Sequence, residues 1–139
     1  MYNDLIEAAL EARNFAYAPY SGFPVGSSVM MEDGTIFTGC NVENASFGAT
    51  NCAERTAMFT AIAKGHQKMK ALAVVGDLNT YTYPCGICRQ VMVEFAENPQ
   101  IPIIIIKSKE EFLVKTLEEL LPGAFTKGDL ETKEGAKYV

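Results

Sequence analysis

The sequence predicts a single α/β domain, and three patterns carry that expectation. Residues 71–76 and 101–106 are unbroken apolar runs of strand length, as expected of parallel strands covered on both faces. Between them, residues 86–96 place Ile87, Val91 and Phe95 in helical register, which supplies the crossover that a parallel pair requires. Earlier in the chain, Asp33-Gly34 separates two strand-like segments, a two-residue hairpin signal that adds an antiparallel pair. With 139 residues, 48% of them apolar, the chain can build one compact core and has little length for a second, so residues 1–139 are expected to form one domain.

The first element is an amphipathic helix. Leu5, Ile6, Ala9, Leu10, Ala12 and Ala16 share one stripe, and Asp4 and Glu7 have capping-box spacing. Two prolines and a glycine break residues 18–24, after which residues 25–31 and 35–40 form the two strands of the hairpin. In residues 51–64, Ala53, Ala57 and Ala61 share a face with Met58 and Ile62 nearby, so a helix there can lie close on a sheet. The strand-helix-strand unit follows. Beyond it, Ser108 with Glu111 and Thr116 with Glu119 both have capping-box spacing, which leaves open one long helix or a strand followed by a short helix. The charged, glycine-containing end, about residues 128–139, is expected to be poorly ordered.

Composition narrows the function classes. The formal net charge is −5, whereas a nucleic-acid partner calls for a basic face, so DNA and RNA are not expected substrates. No stretch approaches about 20 consecutive apolar residues, so no membrane partner is expected. The first eleven residues carry acids where a signal peptide carries positive charge, which points to a cytoplasmic protein. In a reducing compartment the four cysteines, Cys40, Cys52, Cys85 and Cys88, suit metal ligation better than disulfides.

Cys85 and Cys88 are spaced as two metal ligands, and Pro84 stiffens the chain ahead of the helix that begins there. That pair alone also fits a redox motif or half of a structural zinc knuckle. Cys52-Ala53-Glu54 at the start of the preceding helix changes the balance: three thiolates leave one zinc position open for water, whereas a structural site takes four ligands. Zinc acidifies its bound water, and Glu54, two residues from a ligand, is placed to take the proton. An isolated glutamate here would more commonly be a first-turn acid stabilising a helix N-terminus; beside Cys52, with PCGIC downstream, it matches the general pattern of zinc deaminases, in which a non-ligand glutamate shuttles protons. Zn²⁺ with three thiolates carries net negative charge, so compensation is needed. Two helix N-termini supply part of it, and Arg55 or Arg89 could donate hydrogen bonds to sulfur. Cys40 stands outside the group and is expected to be an inert buried thiol. His66, the single histidine, is not assigned to zinc.

FPVGSSV at 23–29, NVENASFGATNCAERTA at 41–57, PCGICRQ at 84–90 and LLPGAF at 120–125 resemble the short cytidine deaminases over nearly the whole chain. The resemblance implies a three-layer α/β/α sandwich around a five-stranded mixed sheet, with residues 112–115 as the fifth strand and a short helix near 117–120. It implies one Zn²⁺ per subunit on Cys52, Cys85 and Cys88, with Glu54 as the proton carrier. It further implies that Asn41 and Glu43 bind the ribose hydroxyl, that Phe23 packs on the pyrimidine, and that the Ala53 amide and Glu54 read O2 and N3. Phe125 is similar to the aromatic that closes the pocket of a neighbouring subunit, which implies a homotetramer with shared active sites. Two departures stand out. Tyr83 precedes Pro84 where the family usually has Ser or Thr, and Phe47 replaces a common Tyr.

The expected activity is therefore hydrolytic deamination of cytidine and deoxycytidine in pyrimidine salvage. The rivals are deamination of a nucleoside antibiotic such as blasticidin S, a catalytically silent zinc-stabilised binding module, and nucleic-acid editing. NVEN and Phe125 weigh against the first, Glu54 against the second, and the acidic composition against the third.

Overall fold

In the computed structural model, which describes residues 2–131, helix α1 (Asn3–Arg13) buries the stripe Leu5, Ile6, Ala9 and Ala12. Its N-cap is Tyr2 and no side chain closes it, so Asp4 and Glu7 lie inside the first turns and the expected capping box does not form. Asp4 instead places its charge at the positive end of the helix. The helix stops before Ala16, where the chain turns to pair Tyr17 with Val42 in a parallel bridge.

Five strands follow: β1 (Gly26–Met31), β2 (Ile36–Cys40), β3 (Met69–Val75), β4 (Pro102–Ile106) and β5 (Phe112–Thr116). They form one sheet in the order β2-β1-β3-β4-β5, in which β3 and β4 are parallel and every other neighbouring pair is antiparallel. The unbroken apolar runs of β3 and β4 have a simple cause. Leu72, Val74, Ile103 and Ile105 face Ala57, Met58 and Ala61 of helix α2 (Ala53–Ala63) and Met92 of helix α3 (Gly86–Phe95). Ala71, Ala73, Val75, Ile104 and Ile106 face α1 on the other side. Alternate residues point to opposite faces, so a strand covered on both must be apolar throughout. Each large side chain fully buried this way stabilises the fold by about 1.5–3 kcal/mol. This is a three-layer α/β/α sandwich around a five-stranded mixed sheet.

The two helical layers are fastened differently. Ser28 of β1 is fully buried and donates to the Leu5 carbonyl at 2.6 Å, tying α1 to the sheet. Gly39 of β2 lets α2 approach so closely that a Cβ there would lie 2.3 Å from the Ala57 nitrogen.

Three local expectations are corrected. The hairpin connection is three residues, 32–34, closed by the Met31 N–H donating to the Thr35 carbonyl at 2.9 Å. A two-residue turn of the expected kind needs positive φ at both positions. Here only Gly34 adopts it, at 91°, while the Asp33 carboxylate takes the Thr35 N–H at 2.9 Å. In α3 the inward face is Cys88 and Met92; Ile87, one residue round the helix, is 63% exposed, and Val91 and Phe95 are half-buried. In the tail, Ser108 and Glu111 form a turn before β5, not a helix start. Thr116 and Glu119 do form the capping box, at the start of helix α4 (Leu117–Leu120), so the strand and short helix are realised. Lys127–Asp129 make a 3-10 turn capped by Thr126 and Asp129. The rest of the expected disordered end, residues 132–139, lies outside the described residues.

Candidate metal centre and active site

Two helix starts build the centre. Cys52 is the N-cap of α2 and Cys85 the N-cap of α3, both extended, with ψ of 155° and 169°. Pro84, buried, fixes the approach to α3, and Cys88 follows in its first turn. The three sulfurs lie within 4.8 Å of one another, with Cys52 Sγ to Cys85 Sγ at 3.8 Å and Cys85 Sγ to Cys88 Sγ at 3.5 Å. A disulfide needs about 2.05 Å. A tetrahedral zinc with bonds of about 2.3 Å to sulfur has an edge of about 3.8 Å, so the trio fits that ion. Cys85 is exposed, so the trio is reached from the surface of the chain, and three protein ligands leave one tetrahedral position for water.

Glu54, the second residue of α2, is only 4% exposed. Burial pushes its carboxyl up to about 7; its own backbone N–H and Arg55 oppose that rise, while the charge on Cys52 adds to it. Such a group can hold or release a proton near neutrality. Cys52 is drawn down to about 5, first by the Cys88 hydrogen bond and then by Arg55, against the effect of burial. Cys88 is pushed up as the proton donor in that pair.

The two arginines separate. Arg55 Nη2 lies 3.3 Å from Cys52 Sγ and supplies the positive charge the trio needs. Arg89 donates instead to the carbonyls of Pro84 and Leu120, each at 2.7 Å, bracing the start of α3 against α4. Behind Cys52, the Thr56 hydroxyl donates to the Cys52 carbonyl at 3.1 Å and accepts from the Asn51 amide at 3.0 Å. The Ala53 N–H precedes the first intrahelical bond of α2, Thr56 N–H to Cys52 carbonyl, and remains a free donor by helix geometry.

Phe23, Asn41 and Glu43 form a second group. The Asn41 amide is 8% exposed, accepts from the Val25 N–H and donates to the Phe23 carbonyl, each at 2.9 Å. The Glu43 carboxylate receives the Tyr20 and Ser21 N–H groups and the Ser21 hydroxyl. The Phe23 ring tip and the Thr82 side chain both lie over Gly76, the residue after β3, where a Cβ would meet them at 3.0 and 2.5 Å. That brings Phe23 beside the segment leading to Pro84 and Cys85. Phe125 is 57% exposed, with its carbonyl held by the Gln90 amide at 2.8 Å. Phe47 is exposed and meets Tyr20 edge-on at 5.9 Å; Tyr83 is also exposed. Cys40 stands apart and is half-buried, not buried as expected; its thiol lies 3.4 Å from the Phe15 carbonyl and is pushed up by the desolvation it has. His66 lies 3.6 Å from Asp33 and against Phe37, outside the centre.

Sequence reasoning missed three contributors. Ser21 and Gly39 act through contacts with residues distant in sequence, and Thr56 through hydrogen bonds to Cys52 and Asn51 at its own helix start. Of these, Gly39 alone left a signal, since a glycine inside a strand marks a close backbone approach.

A Cys₃ centre with one open side, a buried carboxyl beside it and an α/β/α sandwich behind it define a zinc-dependent hydrolytic enzyme. Residues 1–104 match the family described as the cytidine and deoxycytidylate deaminase zinc-binding region. The chain is 50% identical over 126 residues to a cytidine deaminase of Sporosarcina psychrophila, covering 91% of this chain and 92% of that one. It is 46% identical over 126 residues to a cytidine deaminase of Halalkalibacterium halodurans, covering 91% and 95%. The crystal structure of a cytidine deaminase from Burkholderia pseudomallei superimposes with a TM-score of 0.84 at 47% identity, over 90% of this chain and 99% of that one. The chain belongs to the cytidine deaminase family. Its cofactor is zinc, for which Cys52, Cys85 and Cys88 are positioned.

Proposed function

We propose that the protein hydrolyses cytidine and deoxycytidine to uridine and deoxyuridine with release of ammonia, in pyrimidine salvage within the cytoplasm. The observation that carries this reading is the buried Glu54 carboxyl beside three convergent sulfurs. A zinc ion held by Cys52, Cys85 and Cys88 would supply an acidified water for attack at C4. Glu54 takes a proton from the attacking water and gives it to N3 of the ring. The proton left on the oxygen now bonded to C4 passes through the same carboxylate to the 4-amino group, and the C4–N bond breaks to free ammonia. The Ala53 N–H donates to O2, Phe23 packs its ring on the base, and Asn41 and Glu43 hold the sugar; Ala53, Asn41 and Glu43 each retain an unused donor or acceptor for this purpose. Arg55 draws charge from Cys52 and so offsets the anionic character of the thiolates.

The exposed apolar side chains Phe47, Phe59, Ile87 and Phe125 suit contact with further copies, and we assign the active assembly as a homotetramer in which Phe125 closes a neighbour's site. A native mass of four times 15.2 kDa is expected. The decisive assay follows the loss of cytidine absorbance with zinc-loaded protein. Glu54→Gln should keep its zinc and lose turnover by a factor of about 10² to 10⁴. An active Gln variant refutes the role of Glu54, and a zinc-loaded wild type without turnover on either nucleoside refutes the function.

A further inference from the structure

The segment 20–25 belongs to no helix or strand, yet every backbone N–H in it is paired. Gly22 N–H donates to the Ala18 carbonyl at 2.9 Å. Tyr20 and Ser21 N–H donate to Glu43 Oε1 at 2.9 and 3.0 Å. The Phe23 carbonyl and Val25 N–H are taken by Asn41. The remaining donor, Phe23 N–H, goes to Ser21 Oγ at 3.0 Å, and that same hydroxyl donates to Glu43 Oε2. Among the described residues, Ser21 is thus the one side chain in direct hydrogen bond with both Glu43 and the backbone of Phe23.

We propose that Ser21 is a positioning residue that couples the sugar contact Glu43 to the base platform Phe23, so that the nucleoside is held by one connected unit. The inference rests on reading Glu43 and Phe23 as substrate contacts. A carboxylate has about four acceptor positions. Three on Glu43 are filled from residues 20 and 21, so the position left for a sugar hydroxyl is on Oε2, beside the Ser21 hydroxyl. Rotation of that hydroxyl therefore affects two places. It steers the free lone pair of Glu43, and it fixes the peptide that carries the Phe23 ring over Gly76 and Thr82. Losing Ser21 Oγ removes a charge-assisted bond and a neutral one together while leaving both contact residues in the sequence. Ser21 is exposed, so Thr at this position can keep the hydroxyl without crowding the core.

The test uses zinc-loaded wild type, Ser21→Ala and Ser21→Thr. Ser21→Ala should raise KM for cytidine about tenfold, with kcat within about threefold and full zinc, because it disturbs binding and leaves Glu54 and the sulfurs alone. Ser21→Thr should bring KM back to within about threefold of wild type. Amide hydrogen exchange at Phe23, read without substrate, should quicken in Ser21→Ala and stay slow in Ser21→Thr. An unaltered KM in Ser21→Ala, a raised KM that Thr does not restore, or unaltered Phe23 exchange in Ser21→Ala overturns the coupling. If the wild type does not deaminate cytidine, the substrate reading fails by itself, and the exchange measurement still decides whether Ser21 holds Phe23.

Discussion

Replacing Gly39 by Ala is a one-carbon change placed where α2 meets the sheet. An added Cβ would lie 2.3 Å from the Ala57 nitrogen, 2.7 Å from the Ala53 carbonyl oxygen and 2.8 Å from the Thr56 carbonyl carbon. All three are backbone atoms, so no side-chain rotation relieves the clash. Restoring ordinary contact at about 3.4 Å requires α2 and β2 to separate by about 1.1 Å. Overpacking of this kind costs about 1–3 kcal/mol, a fall in Tm of about 3–12 °C for a domain of this size. The displaced turns carry Cys52 and Glu54, and a misplacement of about 1 Å in a catalytic constellation costs about 10²-fold in rate. Thermal unfolding, zinc titration and kcat for cytidine should therefore all worsen together. Gly48→Ala is the control, because a Cβ there meets nothing within 4 Å. Wild-type Tm and wild-type zinc affinity in Gly39→Ala would show that α2 does not seat on that glycine.

The two arginines should respond differently to truncation. Arg89→Ala leaves the Pro84 and Leu120 carbonyls unpaired and should lower stability by about 1–3 kcal/mol, measured by denaturant titration. Arg55→Ala should mainly lower zinc affinity and kcat, measured by competition with a chelating dye and by turnover, because its partner is Cys52 sulfur. The Glu43 carboxyl is held below its ordinary range by the Ser21 hydroxyl and the backbone of residues 20 and 21. Its depressed value means that its contribution is present above the ordinary carboxylate range and lost as pH falls through the lowered one, so KM for cytidine should stay flat down through the ordinary carboxylate range and rise only below it.

The apolar runs of β3 and β4 and the alanine face of α2 were legible because burial on two faces and close packing leave composition as their trace. Each ligand group was legible because its spacing sits at a helix start; that Cys52 meets Cys85, 33 residues along the chain, is the work of the sheet on which both helices pack. What escaped depended on side-chain direction as well as on contacts distant in sequence. Arg55 and Arg89 each follow a ligand group closely; Arg55 turns back to Cys52, whereas Arg89 is drawn to the Pro84 carbonyl and to the Leu120 carbonyl far along the chain. The Asp33-Gly34 pair announced a turn but not its length, since the choice between a two- and three-residue loop rests on whether Asp33 accepts positive φ. Helix α3 misled because Ile87 lies in register with Val91 and Phe95, while the inward direction is set by Cys88 turning toward the other sulfurs.

Both ligand-bearing helices begin on cysteine, and neither cysteine side chain closes its own helix end. Serine or aspartate at those positions would stabilise each helix by about 1 kcal/mol. The chain forgoes that local support, so a zinc ion held by Cys52, Cys85 and Cys88 would tie the two helix starts to each other in place of the cap that each lacks.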